Sequence, residues 1–157
     1  MLEHHRLEVA HAILGVQRLS YLVEAEIIGF DGIPPLHETA EQVAALDLSL
    51  LGAFEGDVLA GVVGYEREGD VVDIDRLAVD PKFFRQGVGR ALVMEVHERE
   101  ADARSFTVST GALNKPAIQL YTQLGYRRRA DRALPEGLTI AVFSRSVTRP
   151  WRGANRR

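Results

Sequence analysis

The stretch FFRQGVGRAL, Phe83 to Leu92, decides the fold. Gly87 and Gly89 stand one residue apart between Arg85 and Arg90, and an apolar run with helical spacing begins at Val88. Glycines without a Cβ let backbone N–H groups come close to a ligand. Here those groups lead into a helix N-terminus, where unpaired amides and the helix dipole favour negative charge. Arg85, Gln86 and Arg90 add donors, so the loop suits a pyrophosphate. It is not the dinucleotide fingerprint G-x-G-x-x-G, whose third glycine falls here on Leu92, and no Gly-Lys-Ser/Thr of a Walker loop occurs.

Working outward, residues 71–79 before the loop alternate like a strand, and a helix follows over about 88–102, with Val88, Ala91, Leu92 and Val96 on one face. Two more strand-like runs, 49–55 and 58–66, precede it, and each break carries the same triplet, EGD, at 55–57 and 68–70. Gly-Asp between β-branched runs predicts a hairpin. After the helix, RSFTVSTGA at 104–112 reads as a strand. NKPAIQLYTQLGY then reads as a short helix that Asn114 caps, Pro116 enters and Gly125 ends. A strand pair at about 126–131 and 138–147 closes the pattern. On the N-terminal side, a helix spans 6–29, with Val9, Ile13, Val16, Ser20, Val23 and Ile27 three or four apart. The box Thr39-Ala40-Glu41-Gln42 starts a second helix over about 40–47. The order is ααβββαβαββ. The single β–helix–β crossover predicts that strands 71–79 and 104–110 lie parallel as neighbours.

The 157 residues fit one domain with a real core. No apolar run approaches the roughly 18 residues that span a membrane, and MLEHHRLEVAHAIL does not read as a signal peptide. There are no cysteines, which removes thiolate nucleophiles and disulfides; the reading leans to a cytoplasmic protein. The net charge of −3 hides a division. Residues 1–80 hold sixteen Asp/Glu against four Lys/Arg, and residues 81–157 hold six against fifteen. One half can meet a cation and the other an anion. Nucleic acid ranks low as a partner of the basic half, because the arginines are scattered without interleaved aromatics.

With these parts in order, RLAVDPKFFRQGVGRALV resembles the acetyl-coenzyme A segment of the GCN5-related N-acetyltransferases (GNAT), in which Arg/Gln-x-x-Gly-x-Gly/Ala follows a strand ending in Leu-Ala-Val-x-Pro. NKPAIQLYTQLGY resembles the family's next segment, where Asn opens a helix, Tyr lies on it and Gly-Tyr/Phe ends it. The resemblance covers about 49–147, and the helices at 6–47 match in kind only. Phe84 departs from the pattern, standing where Arg or Gln is usual. The resemblance implies an α/β domain of the α+β type over 1–147: a mixed, mostly antiparallel sheet flanked by helices, with a basic tail at 148–157. It implies that the edge at Leu77, Ala78 and Val79 hydrogen-bonds the pantetheine arm. Arg85, Gln86, Gly87, Val88, Gly89 and Arg90 would wrap the pyrophosphate, and Asn114 would contact the pantetheine or thioester region. Tyr121 would give a proton to the departing thiolate, a role that suits a phenol with pKa about 10.

In some members a glutamate acts as base at the position Asp73 occupies. Aspartate is a methylene shorter, so a bridging water fits better. Asp75 shares its parity, and Glu24 and Glu26 end the first helix, where the resemblance places the acceptor wall. With the acidic N-terminal half, these carboxylates favour a cationic acceptor, a small-molecule or peptide amine. His4, His5, His11, His37 and His97 show no metal-ligand spacing, so no metal is expected; His4 and His5 are read as part of a frayed terminus. Arg127, Arg128, Arg129 and Arg132 read as a solvated loop and strand edge. The expected activity is direct acetyl transfer from acetyl-coenzyme A to an amine. A coenzyme A-binding sensor without turnover and, less favoured, a nucleic-acid-binding module are the other classes. A homodimer is left open.

Overall fold

The computed structural model describes residues 1–148; from residue 149 on, the basic tail lies outside the described residues. The described chain runs α1 (Leu7–Ile28), α2 (Ala40–Ala44), β1 (Ser49–Glu55), β2 (Val58–Glu68), β3 (Val71–Val79), α3 (Val88–Arg99), β4 (Ser105–Gly111), α4 (Lys115–Gln123), β5 (Arg127–Ala133) and β6 (Thr139–Ser146). This is the predicted order. Two short 3-10 turns, at Pro34–His37 and Pro81–Phe83, lie in segments read as loops. The capping box at α2 forms both halves: the Thr39 hydroxyl accepts from the Gln42 amide (3.2 Å) and the Gln42 side chain accepts from the Thr39 amide (2.8 Å).

The sheet has the strand order β1-β2-β3-β4-β6-β5. Glu55 faces Val58 and Glu68 faces Val71 across two-residue Gly-Asp turns, with Gly56 and Gly69 at φ +58° and +60°. The pair β3–β4 is parallel, as the crossover requires, and the other pairs are antiparallel. One face carries Val63, Val72, Phe106 and Phe143 against α3 and α4. The other carries Leu50 and Val62 beneath α1 and α2. Strand β5 is exposed along its whole length, so its arginines form the solvated edge expected of them.

Three local readings are corrected. The buried stripe of α1 is Ala10, Ile13, Leu14, Val16, Gln17, Tyr21 and Ile28 rather than the run ending at Val23 and Ile27, and Ile27 is 42% exposed. The stripe through Val16, Ser20, Val23 and Ile27 runs about one residue off the inner face and skipped Gln17 and Tyr21, two polar residues that the 3.6-residue period carries onto it. On α3, Ala91 is exposed and Val93 takes its place in the core. The N-terminus is fastened rather than frayed: the Leu2 amide donates to the Leu50 carbonyl at 2.7 Å, and His4 Nε2 lies 2.8 Å from the Leu46 carbonyl.

Candidate active site

Strands β3 and β4 pair only where Val71–Ile74 meets Ser105–Val108. Beyond that point β3 continues to Val79 and β4 to Gly111 without pairing with each other, so two neighbouring parallel strands part. A bulge marks the parting. The β2–β3 register shifts between Gly64 and Tyr65, and Asp75 is left without a partner on β2. Gly64 makes room there, since a Cβ would stand 2.7 Å from the Leu50 side chain and 2.9 Å from the stem of Arg76.

A cavity of about 360 Å³ occupies the gap. Leu77 on β3, with Asn114, Ala117 and Tyr121 at α4, forms one wall. Tyr21, Glu24 and Ile28 of α1, Ile33 to Pro35, and Leu134 and Leu138 of the β5–β6 hairpin add to the lining. Asp75 and Ser109 stand where the strands diverge. The open edge of β3 keeps free backbone groups. The Asp80 amide donates back to Ala60 on β2 at 2.8 Å. Strand residues alternate direction, so Leu77 and Val79 point into the gap and Ala78 points to β2. The Val79 amide donates to the Ser20 hydroxyl of α1 at 3.1 Å.

The chain then turns through Asp80, whose carboxylate accepts from the Lys82 amide at 3.0 Å, to the start of α3. Gly87 is the residue before the helix and takes φ +79°, ψ +12°, a conformation that disfavours a Cβ. Arg85 takes φ +61°, the one positive φ outside glycine among the described residues. Strain of this kind collects at ligand-binding loops. Arg85, Gln86, Gly87 and Arg90 are exposed, and Gly89 lies against the side chains of Leu77, Val79 and Leu120, which joins the loop to the cavity. Phe84 is exposed and keeps an ordinary extended conformation. The N–H groups at the start of this twelve-residue helix and the open edge of β3 are features a phosphate-bearing, amide-containing arm can use.

The polar groups divide sharply. The Glu24 carboxyl is pushed up by burial, and a hydrogen bond from Asn114 opposes that rise. Asn114 also caps α4, accepting from the Ala117 amide at 3.3 Å. Tyr121 is 3% exposed. Burial, then Tyr126 and Glu24, raise its hydroxyl well above the ordinary tyrosine range, so it stays protonated at neutral pH. Its ring meets Tyr126 edge-on, with centroids 5.4 Å apart, and the Tyr126 hydroxyl lies 2.7 Å from His97 Nε2. Burial and the charge of Arg145 push His97 down to about 4.

Arg76 also lines the cavity, buried and held by carboxylates. Its Nε donates to Asp75 at 2.7 Å, and its Nη1 donates to both oxygens of Glu38 and to Gln17 at 3.1 Å. Burial opposes the charge, and the hydrogen bonds to Asp75 and Glu38 outweigh that opposition. This network joins α1, the segment before α2 and the bulge of β3. Sequence reading missed it, although the alternation of Val72, Ile74 and Ala78 places Arg76 on a buried parity.

The predicted site residues divide accordingly. Tyr121, Asn114, Leu77, Glu24 and Asp75 line the one cavity. Asp73 does not line it; its carboxylate accepts from the Thr107 hydroxyl at 2.5 Å, and burial raises it against that hydrogen bond. Glu26 is exposed and points elsewhere, two residues and about 200° around the helix from Glu24. Among the described residues no group of three His, Asp or Glu side chains could hold a metal, and no helix is long and apolar enough to cross a membrane.

Comparison with known proteins adds independent findings. The profile of the acetyltransferase (GNAT) family matches residues 16–126, which include the whole of β3, the glycine loop and α4. The UPF0157 protein YqkA of Bacillus subtilis (strain 168) is 39% identical over 142 residues, covering 90% of this chain; the chain spans 41% of that protein. The ribosomal-protein-S18-alanine N-acetyltransferase of Escherichia coli superposes with a TM-score of 0.73 at 18% identity, covering 96% of this chain and 94% of that one. The PaiA N-acetyltransferase of Thermoplasma acidophilum, solved with coenzyme A, gives 0.72 at 14% identity, covering 90% and 94%. At such identities the two structures speak for the fold alone. The overall fold is thus shared with these two structures, and with the family profile covering more than half of its length, the chain belongs to the acetyltransferase (GNAT) family.

Proposed function

We propose that the chain transfers an acetyl group from acetyl-coenzyme A to an amine in the cavity between β3 and β4. The observation that carries this reading is the parting of the strands after Ile74 and Val108, which opens the Leu77–Val79 edge beside Tyr121 and Asn114 and leads to the Gly87-capped start of α3. Arg85, Gln86, Gly87, Val88, Gly89 and Arg90 hold the pyrophosphate. Leu77, and Val79 through its carbonyl, offer strand-like hydrogen bonds to the pantetheine arm, and Asn114 orients its end. Bound acetyl-coenzyme A supplies an activated thioester.

The residues then divide the proton work. Glu24 attracts a protonated amine, and Asp75 adds negative charge at the mouth of the gap. The amine must lose a proton to become a nucleophile, and Asp73 takes it through a water. A carboxyl raised by burial suits that task, because its basicity is closer to neutral pH. As nitrogen bonds to the acetyl carbon and the carbon–sulfur bond breaks, Tyr121 gives its proton to the sulfur. With Glu24 and Asp75 lining the cavity and Arg76 already paired, the site favours cationic acceptors.

Thiol release from acetyl-coenzyme A, measured against a panel of cationic, neutral and anionic amines, tests the reading. Faster turnover of the cations, with a rate that rises with pH, is expected. Asp73→Asn should flatten the low-pH limb. Tight coenzyme A binding without transfer to any amine would instead identify a sensor, and equal turnover of anionic and cationic acceptors would defeat the charge argument.

A further inference from the structure

Tyr21 belongs to the same cavity lining as Tyr121 and has no part in the reaction outlined above. It is 5% exposed and lines the cavity. Its hydroxyl makes no hydrogen bond among the described residues. Nor is that oxygen sealed away: His4 Nδ1 is the one partnerless side-chain polar atom fully shut off from solvent among the described residues. The hydroxyl therefore keeps some accessible surface, on a residue that lines the cavity. A buried tyrosine hydroxyl ordinarily has a partner.

The neighbours explain why none is found among the described residues. Glu24 lies one turn further along α1, on the same face, and takes its hydrogen bond from Asn114. Asp75 and Glu38 are engaged by Arg76. Burial, then the charge of Glu24, keep the Tyr21 phenol protonated. The wall thus offers a ligand one carboxylate and one neutral donor. Around them Ile28, Ile33 and Leu138 are apolar.

We propose that Tyr21 determines acceptor specificity by donating a hydrogen bond to an oxygen beside the reacting amine, so that the preferred acceptor is an α-amino carbonyl compound with an apolar side chain, as an amino-acid amide or a peptide N-terminus presents. This inference rests on the acetyltransferase reading. A hydrocarbon amine satisfies Glu24 and leaves the Tyr21 donor unpaired as water is expelled, which is unfavourable. A free amino acid brings a carboxylate toward Glu24 and Asp75, while Nε and Nη1 of Arg76 are already paired with Asp75 and Glu38. A carbonyl oxygen meets Tyr21 without adding charge.

Leucinamide, isoamylamine and leucine separate these cases, because the first two share the amine and the branched carbon chain and differ in the carbonyl. In the wild type, leucinamide should be the best of the three. Tyr21→Phe should lower kcat/KM for leucinamide about tenfold, the scale of one lost hydrogen bond, and leave isoamylamine within twofold. The difference in basicity between the two amines cancels in this comparison of enzymes. The melting temperature and the affinity for coenzyme A should not change, because the hydroxyl has no partner among the described residues. An equal loss for both amines, an unchanged ratio, or wild-type transfer to other amines but to neither of these would overturn the inference and leave the acetyltransferase reading intact. No thiol release with any amine would overturn that reading, and this inference with it.

Discussion

The two glycines of the anion loop differ in their surroundings, and the difference predicts a separation of stability from binding. Gly87 holds φ +79°, and a Cβ there would meet nothing within 4 Å. Gly87→Ala therefore introduces no clash, only the left-handed backbone penalty, about 1–2 kcal/mol for an L-residue. In a chain of this size each kcal/mol lowers the melting temperature by about 2–4 °C, so the free protein should melt about 2–8 °C lower. Gly89 has no such φ. A Cβ there would sit 3.6 Å from Leu77 and 3.7 Å from Leu120 and Val79, at ordinary van der Waals contact. Gly89→Ala should leave the melting temperature of the free protein within about 1 °C, because neither strain nor overlap arises. Its methyl nevertheless enters the angle between the open strand edge and α4, where the cofactor arm is proposed to run. Titration calorimetry with coenzyme A should then show weakened binding for both variants, about tenfold or more. Thermal scans of the free proteins should show a loss only for Gly87→Ala. Unchanged affinity in Gly89→Ala would refute the placement of the cofactor, and an unchanged melting temperature in Gly87→Ala would refute the strain argument.

Other outcomes are as specific. Tyr121→Phe keeps the ring contacts with Tyr126 and loses the proton, so kcat should fall about 100-fold with little effect on coenzyme A affinity; a wild-type kcat would return Tyr121 to a packing role. Folded His97 takes its proton only near about 4, against 6.5 for the free side chain. Below pH 6.5 the unfolded chain binds the proton and the folded one does not, so stability should drop as pH falls from 6.5 toward 4. His97→Phe should flatten that part of the profile, and an unchanged slope would assign it to other groups. Arg76→Met leaves Glu38 buried without its partner and should destabilise the protein by about 3–5 kcal/mol, measured by denaturant unfolding; a loss under about 1 kcal/mol would mean that water reaches Glu38 readily.

Much of the architecture was legible because local signals and topology agreed. The two Gly-Asp turns, the Thr39 and Asn114 caps and the lone crossover each have a short-range physical cause, and each appears as read. What escaped was non-local. The bulge at Asp75 depends on Gly64 of another strand giving way to Arg76, and nothing in VVDIDRLAV alone signals it. As a result Asp73 and Asp75, alike in parity, reach different surroundings. Tyr21 and Gln17 were overlooked because the stripe was traced through Val16, Ser20, Val23 and Ile27, one residue off the buried face. Their fit to the stripe at positions 13, 17, 21, 24 and 28 was available, and a polar residue on such a stripe marks either a buried network or a cavity. His4 was misjudged because its partner, the Leu46 carbonyl, is 42 residues away.

Ser20 gives the parted strands a further consequence. A strand edge with unpaired amides is a template for another chain, and proteins commonly shield such edges. The cavity requires two of them, on β3 and β4, and the Ser20 hydroxyl covers the Val79 amide. Helix α1 is thus a shield against self-association as well as a wall of the site. Ser20→Pro, which breaks the helix at that point, should show concentration-dependent light scattering under conditions where the wild type stays dispersed, with coenzyme A suppressing it by occupying the same edge. A variant that loses helix content yet stays monomeric would show that the edge is harmless without its guard.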